Sequence, residues 1–317
     1  MKAIVYSKYG PPEVLHIEDV EKPTPKDNEV LIRIKATAAN SGDCRLRGAN
    51  PFAVRFFFGL LKPKINILGG VLSGEIEAIG KDVKLFKVSD KVFGSTDMHF
   101  GAYAEYICLP ESGTLALKPD NLAHTEAAVI PFGATTALHF LKKVAIKPGQ
   151  NMLIVGASGA VGSAAVQLAK YFGATVTGVC STVNVDLVKS LGADKVIDYS
   201  KEDFTQNGET YDVIFDSVKT ISVSRSLKSL NKKGLMILSA AMMPEMLQGL
   251  WISMTSNRKV LTGVIKITVE NMNFLKELME TGKMKPVIDK TYPLEQMAEA
   301  HAYVEKGHKK GNVAITV

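Results

Sequence analysis

Apolar and polar positions change their rhythm near the middle of the chain. Up to about residue 120, short strand-like runs (30–36, 74–79, 91–93 and 103–109) are separated by Gly, Pro, Asp and Asn. That punctuation predicts a compact β-barrel or sandwich. After Pro119, helix-like stretches alternate with short apolar runs at 151–155, 175–180, 195–197, 211–215 and 234–239, with 259–265 as a sixth. Helices between strands predict a parallel α/β sheet. Beyond residue 266 come two helix-like stretches, 269–281 and 294–305, and a strand-like end, 312–317, expected to rejoin the first domain. The expected organisation is a β-rich domain over 1–121, an α/β domain over 122–265 and a returning segment over 266–317.

Between the strand at 151–155 and the helix-like run at 163–172 lies Gly156-Ala157-Ser158-Gly159-Ala160-Val161-Gly162. Strand, tight turn and helix in register form a dinucleotide-binding unit. The first glycine permits the turn, the second lets the backbone approach a pyrophosphate, and the third lets helix and strand pack closely. The helix amino terminus then offers unpaired N–H groups to the anion. Gly156, Ser158, Gly159, Ala160, Val161 and Gly162 are therefore candidate cofactor contacts. No lysine follows the last glycine, which argues against a nucleoside-triphosphate loop, and the segment falls one glycine short of a hydrolase nucleophile elbow.

About 20 residues beyond such a turn, an Asp or Glu would bind the ribose hydroxyl of NAD. This chain has Cys180-Ser181-Thr182-Val183-Asn184 there, with no acid. NADP (as NADPH) is favoured, and Ser181, Asn184, Lys189 and Tyr199 are candidates to contact the extra phosphate. Lys189 reads equally well as an exposed helix residue.

Composition adds constraints. A content of 46% hydrophobic and 22% charged residues over 317 positions suits a soluble globular protein of two domains. The net charge of +6 comes from scattered Lys and Arg with no nucleic-acid-binding motif, so no nucleic-acid partner is expected. An anionic small ligand or a plain solvated surface accounts for the excess. Cys44, Cys108 and Cys180 form no C-x-x-C pair, which argues against a structural zinc site and suits a reducing cytoplasm. Residues 1–6 read as a strand rather than a signal peptide. The apolar run 52–61 is broken by Arg55 and Gly59 and is too short to be an integral membrane segment.

The whole chain resembles the zinc-independent quinone oxidoreductase branch of the medium-chain dehydrogenase/reductase superfamily. The resemblance rests on MKAIVYSKYGPPEVLHIED at the start, AANSGDCRLRG at 38–48, GEIEAIGKDV followed by FKVSDKVFG, and GAYAEY at 101–106. It continues through AAVIPFGATTAL at 127–138 and GASGAVGSAAVQLAK followed by LGADKVIDY. It implies a GroES-like β-barrel catalytic domain built from both chain ends and a Rossmann doubly wound parallel sheet between them. Zinc-dependent members carry a Cys near residue 40 and a Gly-His-Glu start near residue 69, where this chain reads Asn40, Gly70 and Val71. None of these three ligates zinc in the usual way, and 94–100, in place of a four-cysteine lobe, holds no cysteine. No zinc is expected. His99 reads as a solvent-facing loop histidine.

Without a metal to polarise an alcohol, the acceptor must be electron-poor already: a quinone, or an alkene conjugated to a carbonyl. The protein then needs to hold nicotinamide C4 close to the acceptor and to place donors on the developing oxyanion. The resemblance puts Asn40 and Asp43 at the substrate site. Asn40 reads as an amide donor to a carbonyl oxygen or as a turn-stabilising residue, and Asp43 as an orienting group or a structural cap. Arg45 stands where relatives often carry a tyrosine, and reads as a stabiliser of the reduced product or as a surface ion-pair partner. Thr136 matches a threonine that contacts the nicotinamide end, or is a helix hydroxyl bonded to its own backbone. Ser217, Ser239 and Ala240 end the fourth and fifth strands on the edge that meets the nicotinamide. Gly311-Asn312 resembles a segment that closes over the cofactor.

The apolar, acid-free stretch 49–68 belongs to a region that walls the substrate site in this family, and suits a small hydrophobic quinone or enone. Phe56, Phe57 and Phe58 read alternatively as core, or as contacts to a membrane surface with Lys62 and Lys64. The expected function is NADPH-dependent hydride transfer to a quinone or enone. The alternatives are a 2-enoyl-thioester reductase and a non-catalytic nucleotide-binding or membrane-associated member. A short-chain dehydrogenase is excluded by the central glycine turn and the lack of Y-x-x-x-K. The resemblance implies a homodimer, and the cysteine usage a cytoplasmic location.

Overall fold

A computed structural model describes residues 1–219 and 222–317. The chain divides into two compact units, one formed by Met1–Phe132 with Ile267–Val317 and the other by Gly133–Lys266.

The first unit opens with β1 (Lys2–Val5) paired antiparallel to β2 (His16–Asp19). Its spine is β3 (Glu29–Ala39), in which buried Val30, Ile32 and Ile34 line a core and Arg33 stays exposed. Next come α1 (Ser41–Gly48) and α2 (Val54–Phe58), two short helices outside the helix-like stretches read from the sequence. Asn40 nucleates α1: its Oδ1 accepts from the N–H groups of Gly42 at 2.8 Å and Asp43 at 3.1 Å, which satisfies donors that a helix start leaves unpaired. Strands β4 (Val71–Ile79), β5 (Lys91–Ser95), β6 (Tyr106–Pro110) and β7 (Leu115–Leu117) follow, then α3 (His124–Ala128). The strand expected from 103 begins only at Tyr106. Helix α3 packs on β3 and β4, so this unit runs to Phe132, past the break at residue 121 that composition suggests.

The second unit opens within α4 (Ile130–Val144) and alternates strand and helix. Its elements are β8 (Asn151–Val155), α5 (Ala160–Tyr171), β9 (Thr175–Cys180), α6 (Val185–Ser190) and β10 (Lys195–Asp198). They continue with β11 (Tyr211–Asp216), α7 (Val223–Ser226), β12 (Leu230–Leu238), α8 (Met243–Thr255) and β13 (Lys259–Leu261). All pairs in this sheet are parallel, in the order β10-β9-β8-β11-β12-β13. That is the doubly wound order, with its switch point between β8 and β11. The sixth strand stops four residues short of 265 because Gly263, at φ +131°, turns the backbone out of the extended region.

The chain then returns to the first unit through α9 (Val269–Glu280), β14 (Ile288–Pro293), α10 (Met297–Glu305) and β15 (Asn312–Thr316). Strand β15 lies antiparallel to β3, with Val313 opposite Ala39, and the sheet reads β14-β15-β3-β4-β5-β7 with β6 also on β3. Both chain ends therefore build one core, in which Ile4, Tyr6, Leu68 and Tyr103 pack against Met297, Ala300 and Val313.

Candidate functional site

In the second unit the glycine turn has the geometry its sequence predicts. Gly156 sits at φ +75°, and a Cβ there would lie 2.4 Å from Val218 Cγ1. At Gly162 a Cβ would stand 2.0 Å from the Gly156 carbonyl oxygen, so α5 meets the turn only because that position is bare. Gly159, the N-cap of α5, differs: its missing Cβ would meet nothing nearer than the Gly156 oxygen at 3.5 Å. The first-turn N–H groups of Ala160, Val161 and Gly162 have no acceptor within the helix. A bare N-cap and three free donors on a 12-residue helix fit a pyrophosphate.

Around this turn the expected cofactor residues divide into supports and open groups. Ser217 donates its hydroxyl to Val155 O at 2.8 Å, tying the ends of β8 and β11 at the switch point. Ser239 donates to Asp216 O at 3.2 Å, and Ala240 follows it partly exposed. Asp216 is buried and accepts from the N–H groups of Val218 and Lys219, both at 2.9 Å, so it shapes the loop. Thr136 is buried on α4. At the end of β9, the amide Nδ2 of buried Asn184 donates to Ser158 Oγ and Ser181 Oγ, both at 3.1 Å, while its Oδ1 has no partner. This cradle joins the glycine turn to the ribose end and leaves one polar atom for a ligand. Tyr199 is exposed nearby, its N–H donating to Cys180 O at 3.1 Å.

Reading β9 alone missed an acid on the next strand. Asp198 ends β10 directly opposite Cys180. Its carboxylate accepts from Thr182 Oγ1 at 2.6 Å and Ser200 Oγ at 2.7 Å and pairs with Lys201 at 3.4 Å; these donors hold it well below the usual carboxylate range. A depression of about 710 Å³, lined in part by Gln150, Asp212 and Lys259, lies at the opposite, amino edge of this sheet. Doubly wound sheets bind ligands at the carboxyl edge, so it is no part of this site.

In the first unit Asn40, at the carboxyl end of β3, directs Nδ2 to Asp43 Oδ2 at 2.6 Å while its Oδ1 caps α1. The turn-stabilising reading of Asn40 is thus met as a helix cap, and among the described residues no hydrogen bond uses the second N–H of Nδ2. Asp43 is 2% exposed and receives further bonds from Tyr103 Oη at 2.9 Å and from the backbone N–H groups of Gly69 and Gly70. All these partners are donors, which favours the carboxylate, yet burial outweighs them and raises its pKa to about 7. Tyr103 Oη also stands 3.0 Å from His301 Nε2, and His301 Nδ1 stands 3.2 Å from Arg47 Nη1.

Other expected residues fall elsewhere. Arg45 is exposed, and two helical positions from Asp43 carry it about 200° around α1. The buried arginine is Arg47, one turn on from Asp43. It would have shown in the sequence only as the i+4 neighbour of a candidate acid. Asn312 begins β15 and binds Val287 O through Nδ2 at 3.0 Å, which anchors the strand. His99 is exposed as expected. Phe56 and Phe57 are 69% and 78% exposed, which rules out the core reading for both; Phe58 is half-buried against Phe100.

The zinc positions do not fit a metal. Asn40 is engaged as above, Gly70 has no side chain, and Val71 is a buried apolar residue of β4. Among the described residues no group of three or more His, Cys, Asp or Glu could hold an ion.

Comparison with known proteins agrees over the full length. The family of alcohol dehydrogenase GroES-like domains matches residues 26–120 and the zinc-binding dehydrogenase family matches 191–315. The 2-methylene-furan-3-one reductase of Solanum lycopersicum is 35% identical over 99% of this chain and 79% of its own length. The chloroplastic NADPH-dependent alkenal/one oxidoreductase of Arabidopsis thaliana is 33% identical with the same coverage. Among solved structures, the quinone oxidoreductase from Coxiella burnetii superposes with a TM-score of 0.91 at 30% identity, covering 100% of this chain and 99% of that one.

Proposed function

The chain belongs to the zinc-independent quinone oxidoreductase branch of the medium-chain dehydrogenase/reductase superfamily, and on that footing we propose an NADPH-dependent, metal-free reductase of quinones and α,β-unsaturated carbonyls. The observation that carries the reading is the replacement of all three zinc positions by Asn40, Gly70 and Val71 in a chain that keeps an intact dinucleotide turn. The relatives named above, a furanone reductase, an alkenal/one reductase and a quinone oxidoreductase, support the acceptor class.

Bound NADPH supplies a hydride at its nicotinamide ring. The N–H groups of Ala160, Val161 and Gly162, with Gly156, Ser158 and Gly159 bare or small beside them, hold the pyrophosphate. Ser181, Asn184 and Tyr199 hold the adenosine end, and Thr136, Ser217, Ser239 and Ala240 shape the nicotinamide end. Asn312 belongs to the same reading through the segment it anchors. Asn40 donates its remaining amide N–H to the acceptor's carbonyl oxygen, where negative charge grows during transfer. Asp43 holds that amide in one orientation, and water delivers the final proton. Arg45, remote from Asp43 on α1, has no part in this step.

A homodimer is part of the proposal. Its support is the edge strand β13 beside α8, where Leu247, Leu250, Trp251 and Met254 are each at least 60% exposed. No helix among the described residues is long and apolar enough to cross a membrane; a cytoplasmic location remains part of the proposal.

A panel assay with NADPH and NADH against quinones, enones and 2-enoyl-CoA thioesters tests the function. NADPH oxidation with quinones or enones is expected. Turnover of thioesters alone, or tight NADPH binding with no turnover, overturns the reading.

A further inference from the structure

Behind Asp43 lies a set of buried polar side chains that the proposed mechanism does not use. Arg47 is 1% exposed, Tyr103 and His301 are fully buried, and they come from three distant parts of the sequence. Their hydrogen bonds have only one consistent direction. A guanidinium can only donate, so His301 Nδ1, 3.2 Å from Arg47 Nη1, must accept. The imidazole proton then sits on Nε2 and points at Tyr103 Oη, 3.0 Å away. The phenol, accepting from His301, gives its own proton to Asp43 Oδ2 at 2.9 Å, a better acceptor than Ala38 O at 3.4 Å. Cys44 Sγ lies 3.4 Å from His301 Nδ1 but donates to His301 O at 3.9 Å, which leaves the single lone pair of Nδ1 to Arg47.

We propose that Arg47, His301 and Tyr103 are positioning residues for the acceptor site: a one-way donor chain that holds Asp43 as the fixed partner of the Asn40 amide, so that one Asn40 N–H stays directed to the acceptor's oxygen. This inference rests on the proposed reduction of a carbonyl-bearing acceptor. The chain is not a proton wire to solvent, because it ends on a guanidinium that does not release its proton. Arg47 is itself fixed by Gly10 O at 3.1 Å and by an ion pair with Glu305. Burial and the Arg47 charge lower the His301 pKa to about 3, so the imidazole stays neutral and keeps its order. The titratable groups facing Asp43 are Tyr6 just after β1, Cys44 and Arg47 from α1, Tyr103 and His301, with Glu305 and Lys309 behind them.

The test compares Tyr103→Phe, His301→Leu and His301→Gln, since Gln can still donate from one end and accept at the other. The readings are kcat and KM for an enone, the pH profile of kcat, and the titration of Asp43 followed by carbon NMR of labelled aspartate. Tyr103→Phe and His301→Leu are expected to lower kcat about ten- to hundredfold, with the Asp43 titration moved to higher pH. His301→Gln is expected to restore most of the rate, and NADPH affinity to stay within about twofold of the parent. Equal losses in Gln and Leu variants with an unmoved Asp43 titration overturn the chain. If the parent protein reduces neither an enone nor a quinone, the functional reading fails on its own, and the NMR titration still decides whether the chain governs Asp43.

Discussion

The amide of Asn40 and the carboxylate of Asp43 meet at 2.6 Å, and the same Asn40 side chain caps the helix on which Asp43 rides. Cap and candidate donor are therefore separable by mutation. Serine keeps a capping oxygen but loses the amide N–H, so Asn40→Ser is expected to hold thermal stability while kcat falls about a hundredfold. Asn40→Ala is expected to lose about 1 kcal/mol of stability as well. Unchanged kcat in the serine variant reduces Asn40 to a cap.

Asp43 and His301 pull the pH dependence of stability in opposite directions. Burial raises Asp43 from 3.8 to about 7, so the unfolded chain loses this proton first and stability falls as pH rises from about 4 to 7. His301 is lowered from 6.5 to about 3, so the unfolded chain holds the extra proton and stability rises with pH over that window. The two slopes oppose one another where the windows overlap. Denaturant titrations from pH 4 to 6.5 are expected to show Asp43→Asn gaining stability with pH relative to the parent, and His301→Gln losing it. Slopes of the same sign in both variants contradict the assignment.

Two glycines of one turn are expected to respond differently. A methyl at Gly162 collides with the Gly156 oxygen at 2.0 Å, so Gly162→Ala is expected to cost about 1–3 kcal/mol of stability along with NADPH affinity. At Gly159 a Cβ makes only an ordinary contact, with the Gly156 oxygen at 3.5 Å, and Gly159→Ala is expected to leave the melting temperature nearly unchanged while NADPH binding, measured by calorimetry, falls at least about tenfold.

The nucleotide turn was legible because its information is local: glycines at three-residue spacing between a strand and a helix leave few conformations. The doubly wound order follows from strands and helices that alternate in sequence. The acceptor side was legible only in part. Asn40 and Asp43 are close in sequence, but Tyr103 comes from the stretch just before β6 and His301 from α10, which returns from the far end of the chain, a proximity that no local pattern encodes. Short α1 depends on one cap and carries too few residues for a helical period. Arg45 and Arg47 look alike on paper, and only the helix phase separates the exposed one from the buried one.

Cofactor preference turns on Ser181, partly exposed beside Asn184. A carboxylate introduced there repels a 2′-phosphate and can bind a ribose hydroxyl. Ser181→Asp is expected to raise KM for NADPH at least about tenfold and to lower KM for NADH. An unaltered ratio places the adenosine end elsewhere.

Hydride transfer from NADPH carbon to acceptor carbon is followed by isotope tracing. NADPH deuterated at nicotinamide C4, in each of its two configurations, is incubated with an enone, and the saturated product is analysed by mass spectrometry. One deuterium is expected on the product's β-carbon from one configuration and none from the other, with chelator-treated protein giving the same result. NADPH consumption with no deuterium in the product from either configuration contradicts hydride transfer.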